Sequence, residues 1–297
     1  MTKSSQHSST TKFLSLIKQS AAIEFEIVPK DFLNENLKVI REVANGDSVI
    51  LKNQALNTYQ RAQRRQQLKE SRQQNNLEQI FSLAIEYIGQ DIQFDRMDLD
   101  WMSRFIGFSQ DIHSPTLQDI WAKIISVELA QAGSFSLKSL KTLSELSTKE
   151  ALLFYNAVNL CCKIGEDRSL KIITGAYKKP TLLSIFNKQN RFPVNLAKLG
   201  LSFTKLMTLA SIGLIYEQEI ESIAFKANEL VQLSYQNETQ SFQIKQNEVM
   251  LTYYKLTQTG EELSKLVSLD KSTNLIAHLK NDFGDLIKLQ NSINTKV

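Results

Sequence analysis

The chain has 297 residues, of which 42% are hydrophobic and 22% charged, with a formal net charge of +4. That length leaves room for two domains and a sizeable core, and the composition excludes a disordered or fibrous chain. No stretch approaches 18 consecutive apolar residues, which excludes a transmembrane helix, and the Ser/Thr-rich start lacks a secretory apolar run, so the sequence predicts a cytoplasmic protein.

Charge is segregated. Residues 51–80 hold six Lys/Arg against two Glu, and residues 81–111 hold six acids against two Arg. Residues 163–205 hold nine Lys/Arg against two acids. Blocks of this kind concern partners and docking rather than fold.

Taken in order, residues 1–11 are polar and predict a disordered tail. Residues 12–46 predict short helices, one over 13–25 and another over 31–43 after Pro29. Residues 47–89 then run from Asp47 to Ile88 without Gly or Pro, closed by Gly89, and predict a long polar and basic helix. Its middle, Gln60 to Asn76, has only Ala62 and Leu68 to interrupt a Gln/Arg-rich surface. Such a helix is solvent-exposed or covered by another chain.

Residues 90–165 predict a central helical domain. Asp98 is a good N-cap for a helix with Trp101, Phe105, Phe108 and Ile112 on one face. Ser114-Pro115 starts a second, because proline at the first helical position gives up an N–H that has no partner there. Its stripe is Trp121, Ile124, Ile125 and Glu128, and Gly133 ends it. Ser136 caps a third helix carrying Leu137, Leu140, Leu143 and Leu146. Ser147 and Glu150 have capping-box spacing and open a fourth, into which the adjacent Cys161 and Cys162 fall. That pair has neither staple nor metal-ligand spacing, and one thiol is expected in the core with the other at its edge.

Glu128 interrupts an apolar stripe. As a structural carboxylate it would accept N–H groups from the Gly133–Ser136 turn; as a chemical group it would be a base or a ligand. No His or second carboxylate lies near it in sequence, which favours the structural role.

From Arg168 strands enter the pattern. Leu170–Thr174, Leu214–Tyr216, Val231–Tyr235, Ser241–Ile244 and Met250–Leu256 read as strands, and Leu182–Phe186 is ambiguous. Val194–Leu199 and Phe203–Ile212 read as short helices, and Thr257 caps another through Val267. The run Leu206 to Ile215, strands, then Tyr254 to Leu263 resembles the latter part of a winged-helix domain, which assigns residues 166–270 to a winged-helix-like α+β domain. Residues 271–297 predict an amphipathic helix with Leu275, Ile276, Leu279, Phe283, Leu286 and Ile287. The fold class expected is therefore mainly α, a helical N-terminal and central bundle followed by that α+β domain.

One resemblance is carried by the central stretch. Asp98-x-Asp100-Trp101-x-x-x-Phe105, then Leu117-Gln-Asp-Ile-Trp121-Ala-Lys123-Ile-Ile-x-x-Glu128, then Gly133-Ser134-Phe135-Ser136-Leu137-x-x-Leu140 resembles a bacterial family of domains of unknown function. The likeness covers about residues 75–155, with an echo over 203–267. The chain departs from the pattern at Ala132, where the family has Pro, and at Lys138-Ser139, where Arg-Thr is usual. The family carries no activity to transfer. A looser similarity to abortive-infection alpha-type proteins of phage exclusion assigns no residues.

The sequence has no glycine-rich phosphate loop, no dinucleotide fingerprint and no nucleophile elbow. His7, His113 and His278 are isolated, and His113 reads as a helix-end cap. No cofactor or metal is expected. The function expected is a non-enzymatic protein-interaction or regulatory module, with a protein partner or a second copy of the chain (a homodimer). The alternative is a phage-exclusion effector or a sequence-nonspecific nucleic-acid binder, for which Lys171, Lys178, Lys179, Lys188, Arg191, Lys198 and Lys205 are the candidate contacts. An enzyme using Glu128 is the third reading.

Overall fold

The computed structural model describes residues 11–18, 21, 23–33, 39–43, 46–52, 56–88, 98–179, 191–236, 238–270 and 275–290. They fall into two compact units. One is drawn from Met1–Leu83 and Ser109–Asp119, the other from Ala84–Phe108 and Ile120–Val297.

In the first unit, helix α1 (residues 11–18) precedes three short strands, β1 (Phe25–Val28), β2 (Val39–Glu42) and β3 (Ser48–Leu51). They form an antiparallel sheet in the order β1-β3-β2, with Phe25 opposite Leu51 and Val39 opposite Ile50. The described residues of 31–43 do not form the helix expected there. A single 3-10 turn, Lys30–Phe32, and strand β2 stand there instead. The long helix also begins later than Asp47, because Val49-Ile50-Leu51 is a largely buried apolar run with two β-branched residues, which prefers the middle of a sheet. Helix α2 then runs Thr58–Tyr87. Asn57 and Gln60 open it reciprocally, each side chain accepting the other's backbone N–H. From 62 to 71 every residue of α2 is exposed. Further along, the buried Asn76 donates to the carbonyl of Gln110 at 2.8 Å and meets His113 Nδ1 at 3.1 Å. The His113 ring is therefore bound locally.

From Asp98 onward the helix-start signals act where the sequence places them. Asp98 accepts the N–H of Asp100 at the head of α3 (Leu99–Ser109), and Pro115 opens α4 (Pro115–Ala130). Ser136 caps α5 (Leu137–Glu145), and Ser147 with Glu150 makes a capping box on α6 (Thr148–Val158). The cysteines lie beyond α6. Cys161 follows it, Cys162 begins β4 (Cys162–Ile164), and both are buried.

A long strand, β5 (Asp167–Lys178), organises the rest. One edge pairs along its length with β10 (Val249–Lys255); the other takes β4 and then β6 (Arg191–Pro193). With β7 (Ile220–Glu221), β8 (Leu230–Tyr235), β9 (Glu238–Ile244) and β11 (Ile287–Gln290), these make an eight-stranded sheet, ordered β11-β9-β8-β4-β5-β10-β7 with β6 beside β5. Its apolar core takes Phe154 and Val158 from α6, Leu206 and Leu209 from α7 (Phe203–Ser211), Leu263 from α8 (Gln258–Ser264), and Leu275 and Leu279 from α9 (Leu275–Asp282).

The fold class is thus α+β, with two antiparallel sheets, and the expectation of a mainly α protein with a winged-helix-like domain is corrected. A winged helix carries a small wing of two or three strands. Here residues 162–290 build one broad sheet, and Leu214–Tyr216 contributes only an isolated bridge, Ile215 to Leu256. The expected C-terminal helix is also divided. Gly284, a poor helix former, follows the end of α9, and the apolar residues beyond it return as β11 against β9, Ile287 opposite Ile244. The tail expected over 1–11, apart from Thr11, and the ambiguous 182–186 stretch lie outside the described residues.

Candidate functional site

The motif residues converge on one turn. Trp101 stacks on Phe105 with ring centroids 5.4 Å apart, and Phe105 meets the edge of Trp121 at 5.4 Å. The Trp101 indole N–H donates to the carbonyl of Phe135 at 2.7 Å. Glu128, 6% exposed, accepts the N–H of Gly133 on Oε1 at 2.6 Å and that of Phe135 on Oε2 at 2.9 Å. Gly133 takes φ of +82°, a conformation an L side chain adopts only at a cost, so the helix can stop and the turn can face Glu128. Ser134 Oγ closes back on the carbonyl of Gln131 at 2.7 Å.

A second carboxylate holds the far side of the turn. Glu262 of α8, 7% exposed, accepts the Ser136 N–H at 2.7 Å, the Ser136 hydroxyl at 2.8 Å and the Ser139 hydroxyl at 2.6 Å, all on Oε2. Gln258 donates to Oε1 at 2.8 Å. Burial alone would raise the Glu262 pKa; the hydrogen bonds from Ser139, Ser136 and Gln258 outweigh it and hold the carboxyl below its usual range. Lys265 donates to the carbonyl of Ser134 at 3.2 Å and lies 5.6 Å from the Phe135 ring centre. Two buried glutamates therefore accept five N–H or O–H groups from residues 133–139. Sequence reasoning missed Glu262 and Lys265: they lie more than 120 residues from the turn, and nothing local marks them. Of the remaining motif residues, Asp100 is exposed in the first turn of α3, and the Lys123 ammonium lies 5.5 Å from the Tyr87 ring centre.

The basic residues of 163–205 do not share one environment. Lys171 is 2% exposed, its ammonium 2.9 Å from Asp167 Oδ2, 2.7 Å from Ser169 Oγ and 5.7 Å from the Tyr253 ring centre. The Asp167 carboxyl is held well below the usual range, first by the Ser169 N–H and then by Lys171. Lys178 donates to Gln246, and Lys205 to the carbonyl of Gly200 at 2.7 Å. Arg191 lies opposite Tyr177, near the exposed Lys179, and Lys198 is in the 3-10 turn Leu196–Leu199. Lys188 lies outside the described residues.

Lys171 also lines a cleft of about 610 Å³. Its lining comes from the β4–β5 turn, the 222–225 segment, β8, β9 and β10. The polar lining includes the Lys171–Asp167 pair, two further carboxylates, Glu166 and Glu229, the Tyr253 phenol, the Gln232 amide and the hydroxyls of Ser222 and Ser241. Burial, and secondarily Asp167, raise the Tyr253 pKa. Two large apolar side chains also line it while largely open to solvent, Ile223 at 80% exposed and Leu230 at 61%.

A family comparison matches residues 60–280 to the family described as protein of unknown function (DUF2806), about three-quarters of the chain. The chain belongs to the DUF2806 family. The match spans the central motif, both glutamates that secure its turn and the Lys171 cleft, so the DUF2806 region crosses helices and large sheet alike. No curated protein and no solved structure matches the chain. Among the described residues no helix is long and apolar enough to cross a membrane, and no group of three or more His, Cys, Asp or Glu is placed to hold a metal ion.

Proposed function

We propose that this DUF2806 chain is a non-enzymatic interaction module, and that it captures a segment of a protein partner in the Lys171 cleft. The observation that carries the reading is the pairing of exposed Ile223 and Leu230 with a polar lining in one concavity. Exposed apolar side chains grouped with polar groups in one concavity are a feature shared by binding surfaces. A partner's apolar side chain covering them would gain on the order of 25 cal/mol for each Å² removed from water. The Gln232 amide and Ser241 hydroxyl then offer donors and acceptors to the partner's backbone. The motif glutamates support the same reading, because Glu128 and Glu262 have backbone and hydroxyl donors on the oxygens that acid–base chemistry would need.

The test is a pull-down from a nuclease-treated extract of the source cells, comparing the wild-type chain with Ile223→Asp/Leu230→Asp. Both positions are exposed, so the variant should fold. A protein retained by the wild type and lost with the variant supports the reading. Equal retention by both, or retention by neither, defeats it.

A further inference from the structure

We propose that α2 carries a binding site for the phosphate backbone of double-stranded nucleic acid in the first unit, separate from the Lys171 cleft. At about 100° per residue, Arg61, Arg65, Lys69 and Arg72 fall within about 80° of one another around the helix axis, and Glu70 falls on the opposite side. At about 1.5 Å rise per residue the row spans about 16 Å. Two concavities lie along it and share Arg65. One is lined by Lys52, Arg61 and Arg64 as well, the other by Lys69 and Arg72. Among the described residues six cations line these two concavities, against two carboxylates, Glu24 and Asp111.

Those two carboxylates do not neutralise it. Glu24 lies 3.6 Å from Lys52, 3.7 Å from Lys18 and 3.8 Å from Arg64, so one negative charge is divided among three cations. Asp111 accepts from Gln73 Nε2 at 3.0 Å. Arg65 and Lys69 have no ion-pair partner among the described residues, and both are exposed. All ten residues from 62 to 71 are exposed, and clustered like charge on such a helix costs stability through repulsion. A polyanion relieves that repulsion.

The chemistry favours a duplex over a single strand. Single-strand sites combine a basic groove with aromatic platforms for the bases. Among the described residues no Phe, Tyr or Trp lines either concavity. What the track offers is guanidinium and ammonium, donors suited to phosphate oxygens. One duplex strand presents a charge about every 3.4 Å along its axis, so 16 Å matches about five phosphates.

The experiment is fluorescence anisotropy of the full chain with a labelled 20-base-pair DNA duplex, repeated with an RNA duplex. Four phosphate contacts predict an affinity that falls about 150-fold between 50 and 200 mM salt. Arg65→Glu/Lys69→Glu should weaken binding at 50 mM salt by at least about tenfold and lower the salt slope by about two. Lys178→Glu/Lys179→Glu makes the same change in net charge and should weaken it far less. Circular dichroism checks the fold; if the Glu variant unfolds, Arg65→Gln/Lys69→Gln replaces it with the same expected direction. The proposal is overturned by no binding of either duplex at 50 mM salt, or by equal losses in the two charge-reversal variants. It is equally overturned if vesicles with about 30% phosphatidylserine are bound while duplexes are not.

Discussion

Glu128 Oε2 accepts the amide of Phe135 at 2.9 Å, and the carbonyl of that same Phe135 accepts the Trp101 indole at 2.7 Å. One peptide strand is thus held from both sides, by a carboxylate from α4 and a ring from α3. Removing the carboxylate leaves the N–H groups of Gly133 and Phe135 without an acceptor, and a buried unsatisfied donor costs about 1–3 kcal/mol. Glu128→Ala should therefore lower the melting temperature clearly. Glu128→Gln keeps one acceptor oxygen and should lower it less. Thermal melts of both variants check the order; equal melting of the two, or no change in either, would contradict the fastening role.

Much of the second unit was legible because its signals are local. Ser136, Ser147 and Asp98 each satisfy donors within three residues, so side-chain chemistry and chain position announce the helix starts together. The large sheet was less legible. Strands β8 and β9 show alternation, but the joining of the strands into one layer depends on pairs such as Ile287 with Ile244, more than 40 residues apart. In the first unit β1 to β3 are four residues each, too short for periodicity to separate strand from helix. Glu262 shows the same limit at the site: its partners on the 136–139 turn are distant in sequence, and only the packing of α5 against α8 brings them together.

That packing has a pH dependence. Hydrogen bonds from Ser139, Ser136 and Gln258 depress the Glu262 pKa in spite of its burial, and Asp167 is depressed as well. A carboxylate whose folded pKa is lower than its unfolded one adds stability that is complete above the unfolded value, about 4.3 for Glu and 3.9 for Asp. The contribution is lost as pH falls through the lower, folded value. Stability should be insensitive to these two groups from neutral pH to about 5, then decline below about 4. Glu262→Gln should flatten part of that acid limb. Urea titrations at a series of pH values measure it, and an unchanged limb in the variant would remove Glu262 from the account.

The two cysteines should be inert in the folded chain. Burial raises the Cys161 thiol well above its ordinary value, and Cys162 is pushed up to about 12 by burial, only partly offset by Lys171. The thiolate is the reactive form, so at about pH 8 neither should react with a disulfide reagent. A native sample should release no chromophore from Ellman's reagent over minutes, and a denatured one should release two equivalents per chain. Rapid release from the native protein would show that residues 161–162 open more readily than their packing implies.

Gly260 and Gly107 make opposite predictions for the same substitution. A Cβ on Gly260 would stand 2.1 Å from the carbonyl oxygen of Leu214, where α8 approaches the 213–214 backbone and Thr257 Oγ1 donates to Gly213 at 2.6 Å. That oxygen belongs to the main chain, accepts the N–H of Thr257, and cannot swing aside as a side chain would. Gly260→Ala must push α8 away from it, loosening the packing that also positions Glu262 and Leu263, at a cost of about 1–3 kcal/mol or more. Gly107 lies in α3, exposed, with a helical φ and nothing within 4 Å of its Cβ position. There Ala relieves the entropy that glycine loses in a helix and should stabilise by about 0.5–1 kcal/mol. Urea unfolding of the two variants should move the midpoint in opposite directions. A Gly260→Ala protein as stable as wild type would mean that the close approach of α8 to Leu214 does not hold in solution.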